Sequence, residues 1–229
     1  MRTLVVIPTY NERANIQALL NQVLSLPEGF HVLVVDDGSP DGTAQLVKEI
    51  QNQFPTRIHL LERAGKLGLG TAYLAGFRWG LNSGYDFIFE MDADFSHNPN
   101  DLSRLLHACL QEGADLAIGS RYVRGGGVIN WPFNRIALSK GASIYTRLIT
   151  GMPIKDPTAG FMCYSRKVLE ALNLDRIRFV GYAFQIEMKF KAWRAGFKLK
   201  EVPITFQDRT QGVSKMHRGI IEEGIWGVL

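Results

Sequence analysis

Two aspartates one residue apart, Asp92 and Asp94, directly follow the apolar run Phe87-Ile88-Phe89-Glu90-Met91. A strand ending there delivers both carboxylates to the edge of a sheet. Oxygen ligands of this kind suit a hard divalent cation, Mg2+ or Mn2+, which needs one or two carboxylates when substrate phosphates complete its shell. The plainer alternative is a polar strand end with Asp94 capping the next helix, and the D-x-D spacing alone does not separate the two. A second carboxylate pair, Asp36 and Asp37, closes the run that ends at Val34 and Val35. Asp37 there can accept hydrogen bonds from ribose hydroxyls or a base N–H, and Gly38 lets the backbone pass close to a ligand; turn and capping chemistry accounts for Ser39, Pro40 and Asp41. After the first apolar run, the stretch Pro8 to Glu12 offers the Tyr10 ring to stack on a nucleobase and the Glu12 carboxylate for its edge or its ribose. Taken alone, that stretch reads equally as a capped helix start. Together the three strand ends would converge on one crevice and describe a nucleoside-diphosphate site with a metal.

The cations are distributed unevenly. Six Lys or Arg and no acid lie between Gly119 and Lys155, and eight more, against Glu201 and Asp208, lie between Lys189 and Arg218. Arginine's planar fork binds phosphate oxygens in pairs, so Arg121, Arg124 and Arg135 form a cradle suited to an anionic acceptor. The neighbouring Val128, Ile129, Trp131 and Phe133 could guide a lipid, although a core role suits Trp131 as well. The net charge of +4 also fits an anionic membrane face, whereas a nucleic-acid partner would rest on charge alone. The five histidines are scattered and no Ser-His or Cys-His pairing is recognisable, so nucleophilic side-chain catalysis is not expected. Cys109 and Cys163 read as buried thiols in a reducing compartment.

The elements that would position these groups alternate. Thr3 to Ile7, His31 to Val35, Arg57 to Leu61, Phe87 to Met91 and Leu116 to Ile118 read as strands, with helices between them. Asn11 is expected to cap the first helix. Such alternation builds an α/β fold with a Rossmann-like, mostly parallel central sheet flanked by helices, whose ligands gather at the carboxyl ends of the strands. Further on, helices are expected over Asn134 to Ile149 and Ala183 to Ala195, one strand over Lys198 to Phe206, a polar loop over Gln207 to Met216, and an amphipathic helix over His217 to Leu229. The 229 residues suffice for one domain. No apolar run approaches the ~18 residues of a membrane span and no leader opens the chain, so a cytoplasmic or peripheral protein is expected.

The strings VIPTYNE, VVDDGSPDGT, KLGLGTAY, MDADFSH, GSRY, DPTAGF and DRTQGVSK occur in this order between Val6 and Lys215. As a set they closely resemble the polyprenol (dolichol) phosphate mannosyltransferases of the inverting glycosyltransferase family two. The resemblance implies a GT-A type fold over the whole chain, with a nucleotide-binding part over about 1–118 and an acceptor-binding part over about 119–229. It implies that Pro8, Tyr10, Glu12, Val35 and Asp37 form the guanosine pocket of GDP-mannose, and that Asp92, Ala93 and Asp94 hold the metal and the donor diphosphate. Arg121, Arg209 and Lys215 would contact phosphates of donor or acceptor.

By the same resemblance the reaction transfers mannose with inversion to a polyprenyl phosphate at the cytoplasmic face of a membrane, where attachment is peripheral or shared with an accessory subunit. A phosphate monoester, with its second pKa near ~6, is a dianion at neutral pH and needs no dedicated base. The chemistry required of the protein is stabilisation of the departing diphosphate. On this reading Arg121→Gln should weaken catalysis and leave the thermal transition nearly unchanged. The nearest rival is a sister transferase using another donor such as UDP-glucose, since diphosphate and metal ligands say little about the sugar. A noncatalytic scaffold would have lost those ligands, and the order of Gly65, Gly68 and Gly70 does not match the dinucleotide fingerprint.

Overall fold

The structure, a computed structural model, describes residues 1–208 and, of Tyr182, the backbone alone. The first half alternates β1 (Thr3–Thr9), α1 (Arg13–Leu24), β2 (His31–Asp36), α2 (Thr43–Gln53), β3 (Ile58–Glu62), α3 (Leu69–Asn82), β4 (Phe87–Glu90), α4 (Asp101–Leu110) and β5 (Leu116–Ser120). The second half adds β6 (Gly127–Ile129), α5 (Phe133–Thr150), β7 (Met162–Ser165), α6 (Arg166–Ala171), α7 (Tyr182–Arg194), β8 (Leu199–Pro203) and β9 (Thr205–Gln207). Seven strands form one sheet in the order β3-β2-β1-β4-β7-β5-β8, and β6 pairs with β9 beside it. Every neighbouring pair in the large sheet is parallel except those made by β7, which runs antiparallel to both β4 and β5.

Strand alternation sends successive side chains to opposite faces. In β1, Val5 and Ile7 join α1, α2 and α4 in one core, while Leu4 and Val6 join α3, α6 and α7 in the other. Helix α3 lies very close to the sheet because Gly76 and Gly80 carry no side chain; a Cβ on Gly76 would stand 2.4 Å from Val6 Cγ1.

Several expectations are corrected. Asn11 does not cap α1: it adopts φ 58°, the N-cap position is Glu12, and no side chain there caps the helix. The turn is held from outside, because the N–H groups of Asn11, Glu12 and Arg13 donate to Ser39 Oγ (3.0 Å), Thr43 Oγ1 (3.1 Å) and Asp41 Oδ2 (3.1 Å) of the β2–α2 loop and the first residue of α2. The single strand expected over Lys198 to Phe206 is two, parting at Ile204, whose N–H turns to Ser120 O at 3.0 Å. No strand is expected from the sequence at β7: of its four residues Met-Cys-Tyr-Ser only Tyr164 favours a strand, a signal too short and weak to mark one. The expectations for Gln207 to Met216, beyond Asp208, and for His217 to Leu229 fall outside the described residues. No helix among the described residues is long and apolar enough to cross a membrane.

Helix α5 buries Ser143 and Thr146 and exposes Phe133 (84%) and Leu148 (79%), with Leu138, Ile144 and Ile149 also exposed. Arg135, Lys140 and Arg147 are interspersed among them. This inverts the usual amphipathic pattern of a helix packed on a core.

Candidate active site

Strands β2, β1 and β4 are adjacent and parallel, so their carboxyl ends bring Asp37, Pro8 at the end of β1 with the Tyr10–Glu12 turn after it, and Asp92 to one edge of the sheet. Asp36 and Asp37 have separate duties there. Asp36 is buried and holds the turn, accepting from Thr9 Oγ1 (2.8 Å), Ser39 N (2.9 Å) and Ser39 Oγ (2.6 Å). Asp37 lies beyond the strand and is gripped by Arg63, whose Nε and Nη2 donate to its two oxygens at 2.6 and 2.8 Å. A carboxylate has about four lone-pair sites, so Asp37 keeps acceptor capacity beside this pair. Tyr10 has the Lys66 ammonium 5.2 Å above its ring, and Glu12 accepts from Asn15 Nδ2 at 3.1 Å. Val35 is different: its side chain is wholly buried in the core, so its backbone is all it can present to a ligand.

The Asp92–Ala93–Asp94 turn carries a strained residue immediately after it, Phe95 at φ 59°. Asp92 keeps 37% of its side chain exposed and accepts from the Tyr73 hydroxyl at 3.2 Å. Asp94 is nearly buried, and its Oδ1 accepts from Ser96 N at 3.1 Å. Ala93 packs its methyl group into the core and, like Val35, has only backbone to offer. Ser96 Oγ is buried with no hydrogen-bond partner among the described residues. Two carboxylates and an orphaned hydroxyl on one turn fit a hard cation whose shell is completed by phosphate and water. His97 follows, stacked on Phe161 with ring centroids 4.8 Å apart; burial pushes its pKa down to about 4, which makes it a neutral imidazole at pH 7.

Beyond β5, Arg121 occupies a cavity of about 110 Å3 together with Asp92, His97, Trp131, Arg135 and Gln185. Arg121 is tied to Asp156, with Nε–Oδ2 at 2.7 Å and Nη2–Oδ1 at 2.6 Å, and its Nη2 also donates to Thr158 at 2.9 Å. Asp156 is fully buried; although burial works to raise its pKa, the Arg121 guanidinium holds it below the ordinary value. Arg135 stacks on Trp131 at 4.0 Å and donates to Asp208 at 2.8 Å. Arg124 is exposed and does not line this cavity. Arg209 and Lys215 lie outside the described residues.

A buried polar network under the cavity escaped the reading from residue types. Glu90 is fully buried and accepts from the Tyr164 hydroxyl (2.8 Å) and Gln185 Nε2 (2.6 Å); burial raises its pKa to about 7. Lys189, also fully buried, donates to the carbonyls of Ala159 (2.5 Å) and Gln185 (3.0 Å). A glutamate inside the apolar run Phe87 to Met91 was the available signal, because a buried charge requires partners. Asp156 and Arg63 were equally unassigned. The glycine-rich loop packs against protein, since Gly70 N donates to Val180 O at 2.8 Å and a Cβ on Gly70 would meet Phe184 at 2.8 Å.

Comparison with known proteins matches residues 4–172 to the model of "Glycosyl transferase family 2". The chain is 52% identical over 232 residues to a polyprenol monophosphomannose synthase of Mycolicibacterium smegmatis, covering 99% of this chain and 87% of that protein. It is 46% identical over 233 residues to an undecaprenyl-phosphate mannosyltransferase of Micrococcus luteus, covering 100% and 95%. Among solved structures, glucosyl-3-phosphoglycerate synthase of Mycobacterium tuberculosis with Mn2+, UDP and glucosyl-3-phosphoglycerate aligns with TM-score 0.69 at 19% identity, over 99% of this chain and 78% of that one. A Pyrobaculum calidifontis mannosyltransferase in complex with GDP-Man and Mn2+ aligns with TM-score 0.62 at 19% identity, over 96% and 58%.

Proposed function

Because the chain belongs to glycosyl transferase family 2, we propose that it is a polyprenyl-phosphate mannosyltransferase, moving mannose from GDP-mannose to a polyprenyl phosphate with inversion to give polyprenyl phosphate β-mannose. One observation carries the reading: Asp92 and Arg121, a metal-type ligand and a phosphate-type ligand, share one cavity in a chain 52% identical to a polyprenol monophosphomannose synthase along nearly its whole length.

In this reading Pro8, Tyr10, Glu12, Asp37 and the Val35 backbone receive the guanosine. Asp92 and Asp94, with the Ala93 backbone, hold Mg2+ or Mn2+ and the donor diphosphate. The cation, when bound, supplies positive charge to the departing diphosphate. Arg121, Arg209 and Lys215 contact phosphates, and Arg135 stands beside Arg121 for the acceptor. A lipid phosphate dianion can attack the anomeric carbon unaided, which suits a site whose histidine is buried and neutral.

The nucleotide would bind over about 1–118 and the acceptor over about 119–229 of a single catalytic domain. Peripheral association with the cytoplasmic face of a membrane is supported by α5, where exposed Phe133, Leu138, Ile144 and Leu148 alternate with Arg135, Lys140 and Arg147. An accessory membrane subunit is compatible with this arrangement, and nucleic acid is not a partner in it.

The test incubates purified protein and Mg2+ or Mn2+ with a short polyprenyl phosphate and either GDP-mannose or UDP-glucose, and follows the lipid product by mass. Mannosyl lipid from GDP-mannose alone is expected; glucosyl lipid would overturn the donor and keep the class. Asp94→Ala should remove nearly all transfer, and full metal-dependent turnover by that variant would overturn the metal assignment.

A further inference from the structure

Two residues that line the Arg121 cavity each carry a buried polar atom with no partner among the described residues: Gln185 Oε1 and Trp131 Nε1. The first is not a product of a loosely placed side chain. Gln185 is 5% exposed, and its Nε2 donates at 2.6 Å to Glu90 Oε2, while the other Glu90 oxygen is taken by Tyr164 at 2.8 Å. The amide thus stands with Nε2 on Glu90 and its carbonyl oxygen turned to the other side, the orientation that an ionised Glu90 requires because a carboxylate only accepts. Gly160 lies against this amide on the cavity wall, where a Cβ would stand 3.5 Å from Nε2, at ordinary contact distance. An unpaired buried amide oxygen is destabilising because its desolvation is not offset, and such orphans in native proteins call for an explanation.

The two orphans together narrow the chemistry of a ligand that would satisfy both. One is an acceptor and the other a donor. An ionised phosphate only accepts, so it cannot satisfy Gln185 Oε1. A hydroxyl both donates and accepts, and Asp92, where the proposed donor diphosphate would be held, lines the same cavity. We propose that Gln185 is a specificity-determining residue for the transferred sugar, its Oε1 accepting a hydrogen bond from one hydroxyl of the donor hexose while Trp131 Nε1 donates to the same ring. The inference rests on the hexosyltransferase reading given above. Glu90 acts through Gln185 as a positioning residue.

The test measures kcat/KM of the wild-type protein for GDP-mannose and for its 2-, 3-, 4- and 6-deoxy analogues. A site that hydrogen-bonds a substrate hydroxyl rejects the analogue lacking it, so one analogue is expected to lose tenfold or more. Gln185→Met, unbranched and of similar length, should lower kcat/KM for GDP-mannose by a comparable factor and leave that one analogue unaffected, with Mn2+ affinity unchanged. Equal kcat/KM of the wild type for all donors overturns the inference whether or not the variant folds. So does a Gln185→Met loss that is uniform across donors, or one that tracks weakened Mn2+ binding and so assigns the amide to the metal. Mannosyl transfer by the wild type in those cases leaves the function standing, whereas no glycosyl lipid from any donor overturns the function and this inference together.

Discussion

Arg121 and Asp156 illustrate how one residue carries two duties. The guanidinium faces the cavity and also neutralises a carboxylate with no solvent exposure. Removing one partner of such a pair leaves an uncompensated buried charge, at a cost of about 3–5 kcal/mol. Arg121→Gln is therefore expected to lose transfer and also to unfold at clearly lower urea concentration, which revises the expectation of an unchanged thermal transition. The double variant Arg121→Gln with Asp156→Asn separates the duties: it should recover most of the lost stability and none of the lost transfer. Recovery of transfer would mean that Arg121 serves only to satisfy Asp156.

At the scale of elements, the proposed nucleotide edge depends on one segment holding the start of another element. Thr43 opens α2, is wholly buried, and its Oγ1 both accepts from Glu12 N at 3.1 Å and donates to Asp41 Oδ1 at 2.6 Å. Thr43→Val keeps the shape and strips both bonds, leaving the Glu12 N–H without that acceptor. The expected outcome is a loss of about 1–3 kcal/mol in denaturant unfolding, together with weaker GDP binding in titration calorimetry, because the Tyr10–Glu12 turn loses its anchor. Unchanged GDP affinity alongside the stability loss would show that this turn does not touch the nucleoside.

At the scale of the whole molecule, a buried polar network ties β4 and β7 to α7 through Glu90, Tyr164, Gln185 and Lys189. Burial pushes the Lys189 pKa down to about 8 from 10.5, against the opposing pull of Glu90, Asp156 and Glu201. Between these values the unfolded chain keeps the proton and the folded one releases it, so stability rises with pH across about 8 to 10.5, by up to ~1.4 kcal/mol per unit. Below pH 8 the folded protein carries the buried ammonium and this contribution is flat. Urea midpoints at pH 7.5 and 9.5 should therefore move upward with pH in the wild type relative to Lys189→Met. Parallel behaviour of the two proteins would show that Lys189 does not change its proton on folding.

The local pattern of the chain determined the alternation of strands and helices through Ser120, because a buried parallel strand and an amphipathic helix each write their own periodicity. It also determined that acidic groups stand at the ends of β2 and β4, since each follows directly on an apolar run. Glu90, set inside such a run, was a signal that the reading from residue types passed over, and nothing near it in the chain names its partners. Tertiary structure alone decided the pairings: Asp37 with Arg63 across 26 positions, Arg121 with Asp156 across 35, Glu90 with Gln185 across 95. No helical or strand period connects residues so far apart. Such contacts exist only once sheet order, the antiparallel insertion of β7 and the close approach of α7 have brought distant segments together. The reason is physical: periodicity records the face a residue turns to the core, while the partner it meets there is set by the path of the whole chain.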